Sequence, residues 1–231
     1  GNGNQDFCSG LLRTDYDGNV LWKKEYNYFT FESLQAAAVT DQFIFLTGYF
    51  TRLGIQHPTH HILKINMQGD TLQSIELERD STEYFRSIIP NEKGIIVASN
   101  VITGSPVRIR LRQLDFNGKQ LWENWIDPIP RSPSGRYLLA LEDEEYILSY
   151  LIFQPYNDYS LGVCKFDSIG NMLWETTIDT VGSARASSAH IISTRDGGLA
   201  TFFNEHYRLP YPWNFYPTIV YKLDANGNIL W

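Results

Sequence analysis

Cysteine is nearly missing from this chain of 231 residues, which has only Cys8 and Cys164. Two thiols so far apart make neither a disulfide framework nor a CxxC metal site. No run approaches the ~18 apolar residues of a membrane-crossing helix. Charge is also scarce, at 19% of residues against about 25% in ordinary soluble proteins. It is tilted towards acid, with 26 Asp and Glu, 19 Lys and Arg, and a net charge of −7. A negative surface repels phosphate backbones, so nucleic acid is not an expected partner. No nucleophile elbow, HExxH or phosphate-loop motif occurs, and no stretch carries helical periodicity with caps at both ends. No catalytic residue, metal or cofactor is therefore assigned.

Aromatic residues, at 14%, are plentiful. This balance excludes disorder and coiled coil and favours a β-rich protein outside the cytosol. A single β domain of this size is common, and one core can bury roughly 70–75% of the unfolded chain's surface. The polar start Gly1-Asn2-Gly3-Asn4-Gln5 suits a tether left after a cleaved signal, with or without a lipid anchor. The expected location is the periplasm or the cell surface.

One turn recurs five times without gaps, in segments 11–22, 62–73, 111–122, 163–174 and 220–231. Its glycines, Gly18, Gly69, Gly118, Gly170 and Gly227, are separated by 51, 49, 52 and 57 residues. Three residues before each stands Asp15, Asn66, Asp115, Asp167 or Asp224, whose short side chain can hold the turn's own N–H groups while the glycine takes a positive φ. A leucine follows in all five copies, then Trp22, Gln73, Trp122, Trp174 or Trp231. The pattern predicts a β-hairpin with a type I turn closed by a glycine bulge. Between copies lies a second hairpin, whose outgoing strands 43–50, 94–101, 145–153 and 198–203 are apolar at consecutive positions. A strand reads that way when both faces are covered.

Four strands in about fifty residues, with both sheet faces buried, predict an all-β fold: a β-propeller of four-stranded antiparallel blades A-B-C-D. The count is about five blades in a single domain over 1–231, with a half blade at 7–26 and complete blades at 31–77, 84–126, 137–178 and 186–231. The repeat, best seen as Lys222-Leu223-Asp224-Ala225-Asn226-Gly227-Asn228-Ile229-Leu230-Trp231, resembles the bacterial quinoprotein-like (PQQ-like) propeller group, especially its degenerate secreted and lipid-anchored members. The resemblance implies a scaffold in which Trp22, Trp122, Trp174 and Trp231 dock neighbouring blades. The adjacent cysteine pair and the metal-binding carboxylate–amide set of the cofactor-dependent members have no counterpart here, so no cofactor is expected.

In such blades the B–C and D–A loops share one face. The last B–C loop, 204–217, packs five aromatics and three prolines into fourteen residues. Binding surfaces favour Tyr, Trp and Arg for their contact area and polar handles. The expected binding residues are Tyr207, Tyr211, Trp213 and Tyr216 there, Tyr156 and Tyr159 on the neighbouring B–C loop, and Arg131 on a D–A loop. The alternative reading has these aromatics plug the ring or cap a blade. His57, His60 and His61 cluster in the sequence 51–61, expected to be a loop, but lack a nearby carboxylate or cysteine to complete a metal site. His190 is expected in the core or a channel. The cations Arg13, Lys64, Lys165 and Lys222, two residues before the turn acids, are expected to pair with them at the rim.

The function expected is a non-enzymatic scaffold that binds a protein or glycan through the aromatic loops. The first alternative is a glycan hydrolase or lyase using Asp158, Glu205 and a histidine, drawn from Asp127, Asp158, Asp179, Glu205, His57, His60 and His206, which share the loop face and which nothing else groups. The second is a structural module of a larger envelope protein.

Overall fold

The computed structural model describes residues 9–26, 31–51, 59–77, 82–102, 107–126, 133–153, 159–179, 189–204, 207–208, 214–215 and 218–231. They form all-β structure, chiefly antiparallel sheets in which consecutive strands are neighbours. The first sheet is the hairpin of β1 (Ser9–Thr14) and β2 (Val20–Tyr26). A second holds β3 (Phe31–Val39), β4 (Phe43–Thr51), β5 (Thr59–Asn66) and β6 (Thr71–Glu76) in that order. The third runs through β7 (Thr82–Asn91), β8 (Gly94–Ile102), β9 (Arg108–Asp115) and β10 (Gln120–Ile126). The fourth is built from β11 (Pro133–Ala140), β12 (Tyr146–Phe153), β13 (Tyr159–Phe166) and β14 (Met172–Asp179).

The last sheet departs from expectation. It has three strands, β15 (Ala189–Ser193), β16 (Leu199–Asn204) and β19 (Thr218–Leu223). Its expected fourth strand is reduced to a bridge between Leu223 and Ile229, with Leu230 N donating to Lys222 O and Lys222 N to Trp231 O, each at 2.8 Å. A further ribbon, β17 (Tyr207–Arg208) with β18 (Asn214–Phe215), forms inside the long connection from β16 to β19.

Burial follows the order of strands. β8 is buried at every position but its last and β9 at all but its ends, which is why their sequences run apolar without alternation. The outermost strands, such as β2 and β6, are largely exposed. Four apolar clusters fill the four seams between successive sheets. Phe45 and Ile62 meet Phe85 and Val97 across the second seam, and Ile109 and Leu111 meet Tyr150 and Phe166 across the third. The first strands β3, β7, β11 and β15 stand beside one another in series. Among the described residues, no helix is long and apolar enough to cross a membrane.

The five repeated turns have the geometry their sequence dictates. Each glycine adopts φ between 83° and 88° and donates its N–H to the carbonyl of the residue three before it, at 3.0–3.2 Å. The carboxylate of Asp15 accepts from the backbone of Asp17 and Asn19, and Asp167 and Asp224 repeat the arrangement. These hydrogen bonds, with those from the side chains of Asn19, Asn171 and Asn228, hold the three carboxyls below the usual range, outweighing the desolvation that leads the opposing effects at Asp167.

Candidate functional site

Two ends of the sheets have different jobs. At the turn end, each sheet latches the next through the residues four and six positions after its turn glycine. Trp22 lies over Gly69 and donates from Nε1 to Met67 O at 2.9 Å. Trp122 covers Gly170, and its Nε1 donates to Ser168 O at 3.0 Å. Trp174 covers Gly227, where a Cβ would stand 2.6 Å from the indole; its buried Nε1 lacks a partner. Two residues on from each tryptophan, Asn124 donates to Gly170 O and Thr176 to Gly227 O, the latter at 2.7 Å. Where the repeat has glutamine, Gln73 donates to Asn117 O at 3.0 Å, and Ile75 covers Gly118. Among the described residues Trp231 covers no turn, and it is 68% exposed.

The cations near these turns do not pair with their own turn acids, because those carboxylates already accept the turn's backbone. Arg13 donates to Met67 O and Lys64 to Phe116 O, at 2.6 and 2.8 Å, each reaching the next sheet's turn. Lys165 pairs with Glu145 at 2.5 Å and Lys222 with Asp196 at 2.6 Å, both acids of the other hairpin turn. No ring of free positive charge results from these side chains.

The opposite end receives the B–C and D–A connections. Arg131, Tyr156, Tyr211, Trp213 and Tyr216 lie outside the described residues, as do Asp127, Asp158, Glu205, His57 and His206. Tyr159 is not in a loop: it opens β13 and pairs with Phe153. Tyr207 pairs with Phe215 in the β17–β18 ribbon. Asp179 ends β14 opposite Ser160. His60 and His61 are strand residues of β5, paired with Tyr49 and Gly48, so the histidine-rich loop is shorter than expected. His61 is buried, with its Nδ1 3.1 Å from Ser74 Oγ. His190 is exposed rather than in the core, stacked on Phe202 at 5.2 Å between ring centroids and 5.6 Å from Tyr137. Among the described residues, no three potential metal ligands converge.

A feature the sequence reading missed stands beneath this loop end. In the third sheet Glu83, Arg110 and Arg112 are buried, with Glu123 partly so. Arg110 bridges Glu83 at 3.5 Å and Glu123 at 2.6 Å, while Arg112 bridges the same two acids at 3.2 and 3.3 Å. Ser99 donates to Glu83. The indole of Trp125 donates to Glu123 at 3.0 Å, and Arg108 and Arg110 lie 4.2 and 4.8 Å from its ring centroid. Burial pushes the Glu123 carboxyl up, but the Arg110 hydrogen bond and the charges of both arginines outweigh it and hold the group below its ordinary range. Two negative charges meet two positive ones, and both carboxylates are engaged. The quartet is therefore a paired, charge-balanced cluster that ties β7, β9 and β10 together rather than a free acid–base pair.

A second buried polar contact lies one seam on. Tyr150 crosses over Gly162, where a Cβ would collide with its ring, and its hydroxyl bonds Glu175, whose carboxyl burial pushes up. Beside it is a cavity of about 80 Å³ touched by Trp125, Ile126, Cys164 and Met172. Cys164 is fully buried, and desolvation pushes its thiol up to about 12, so it is no nucleophile.

No family model matches the sequence, nor does any curated protein. Among solved structures, the chain resembles a GH43 β-1,3-galactosidase with a TM-score of 0.51 and 14% identity, over 98% of this chain and 48% of that one. It also resembles an endo-1,4-β-xylanase from Bacteroides thetaiotaomicron VPI-5482, with a TM-score of 0.50 and 12% identity, over 90% of this chain and 80% of the other. The chain thus spans about half the length of the galactosidase. At such identities the likeness is one of fold, a propeller-like arrangement of antiparallel sheets.

Proposed function

We propose that this is an extracytoplasmic binding scaffold, a β-propeller of about five blades related to the PQQ-like repeat group, that recognises a glycan or protein through the aromatic loops at its B–C/D–A end. One observation carries the reading: the long connection after β16 forms its own ribbon, Tyr207–Arg208 against Asn214–Phe215. Backbone pairing fixes Tyr207 and Phe215 opposite each other before any ligand arrives, which lowers the ordering cost of binding. The engaged state of Glu83 and Glu123 removes one described carboxylate pair from the candidates for hydrolysis. The solved proteins of like fold act on galactosidic and xylan linkages, which makes a glycan the first ligand class to test.

That likeness also favours a second reading, a glycan hydrolase using loop carboxylates. One experiment separates the two. The chain is titrated with galactan and xylan oligosaccharides by calorimetry, while reducing ends are assayed in the same samples. Saturable heat without new reducing ends, lost in the variant Tyr207→Ala plus Trp213→Ala, is the expected result. Release of reducing ends favours the hydrolase, and binding unaffected by the double variant refutes the aromatic site.

A further inference from the structure

The first strands of the three four-stranded sheets share one irregularity. β3, β7 and β11 each pair with the next strand through a β-bulge, and the extra residue is Gln35, Arg86 or Arg136. Bulges re-aim a side chain out of the alternation of a strand. Those of β7 and β11 are stitched together: Leu138 N donates to Ser87 Oγ at 3.1 Å, and Gly135 N to Asn100 Oδ1 at 2.7 Å. Ser87 and Asn100 are buried, so the backbone on both sides of Arg136 is fastened to the sheet that carries Arg86. Arg86 is partly buried, with its guanidinium carbon 5.8 Å from the Tyr84 ring centroid. Its Nε is buried without a hydrogen-bond partner, and among the described residues it forms no ion pair. The acid nearest along its strand, Glu83, is held by Arg110 and Arg112. A buried N–H without an acceptor costs free energy, and here it belongs to a cation that no described acid neutralises.

We infer that Arg86, with Arg136 at the adjoining bulge, takes the carboxylate of a single acidic sugar on the bound glycan. The inference rests on the glycan reading above and adds the class of sugar. A guanidinium presents a planar fork that matches a carboxylate with two parallel hydrogen bonds, and Nε, the donor left over, forms one edge of that fork. The net charge of −7 repels a polyanion, so the ligand is a largely neutral chain with an isolated uronic acid. The position suits the aromatic loops. Counted from the loop end, Arg86 is the fifth residue of β7 and Arg136 the fourth of β11, roughly 10–13 Å down the strands. A branch or chain end of a glycan held at the loops spans that depth.

Calorimetry with two xylan oligosaccharides of equal length tests this, one unsubstituted and one bearing a single glucuronate. The acidic one should bind about tenfold tighter or better. Arg86→Gln should bring the two level, and Arg136→Gln should narrow the gap. Arg86→Lys, which keeps the charge but not the fork, should retain only part of the preference. Arg86→Met should unfold in urea at the parent's midpoint or above, because no hydrogen bond of Nε is lost. Equal affinities in the wild type, an undiminished preference in either Gln variant, or a marked loss of stability in Arg86→Met would each overturn the inference. If neither oligosaccharide binds, free glucuronate decides the site apart from the glycan reading. Saturation-transfer signals with the wild type that vanish in Arg86→Gln support the site, and their absence from the wild type overturns it.

Discussion

The latch can be tested by making one substitution at two places in the repeat. Trp122→Ala removes an indole packed on the Gly170 turn and its bond to Ser168 O. Truncating a buried tryptophan costs about 3–5 kcal/mol, and the partial exposure of this one puts it at the lower end, about 3 kcal/mol. For a domain of this size that lowers the thermal midpoint by roughly 6–12 °C. Trp122→Phe keeps most of the ring contact and loses the hydrogen bond, for about 1 kcal/mol. Trp231→Ala changes stability by less than about 0.5 kcal/mol, since among the described residues its indole covers no turn. Urea unfolding followed by circular dichroism, with calorimetric midpoints, reads all three variants. If Trp231→Ala were as costly as Trp122→Ala, packing on the next turn would not be what stabilises these tryptophans, and the latch would be wrong.

Three other outcomes are expected. Gly18→Ala carries only the strain of an L residue at φ 85°, about 1–2 kcal/mol; Gly170→Ala adds a Cβ 2.8 Å from the Trp122 ring, so its urea midpoint should fall further, and equal losses would contradict the close approach. Arg112→Met leaves Glu83 and Glu123 short of a partner and should cost about 3–5 kcal/mol, whereas replacing all four charges by apolar residues should recover much of that loss; a single variant as stable as the parent would mean that the quartet is solvated. Because Asp15, Asp167, Asp224 and Glu123 all have folded-state values below their unfolded ones, their stabilisation is fully present above the ordinary carboxylate range and is lost as pH falls through the lower folded values. Denaturant midpoints from pH 6 to pH 2 should therefore decline steadily, and a flat profile would refute the turn hydrogen bonding.

How much of this was legible depended on how local each cause is. The glycine turn is fixed by one positive φ and one short acid, so five copies could be found by spacing alone. The consecutive apolar residues of β8 and β12 signalled strands covered on both sides. The cations misled, because Lys64 and Lys222 reach across space to Phe116 O and Asp196, partners the repeat alignment does not bring near. The quartet had a readable sign, since Arg110 and Arg112 stand on a C strand where the other four copies place no cation but His61: Gly10, His61, Gly162 and Ile219, and Leu12, Leu63, Cys164 and Tyr221. Of its acids, Glu123 faces Arg112 across the β9–β10 hairpin, whereas Glu83 lies 27 residues before Arg110, and only the register of β7 through β9 brings it in. The β17–β18 ribbon was hidden by Pro210 and Pro212, which read as loop. The aromatic residues beyond it were identified from composition, which says where contact area is abundant but not how it is arranged.

The replacement of tryptophan by Gln73 gives the molecule an uneven strength along its length. The third sheet meets the second through an amide and Ile75 instead of an indole, and the buried Glu–Arg quartet lies on the same seam. Under load or mild denaturant this is where the series should part first, dividing the molecule into a lighter piece of two sheets and a heavier one of three. Amide exchange would then quicken along β6 and β7 before it does along β12, so that wear and proteolysis have a preferred line of entry.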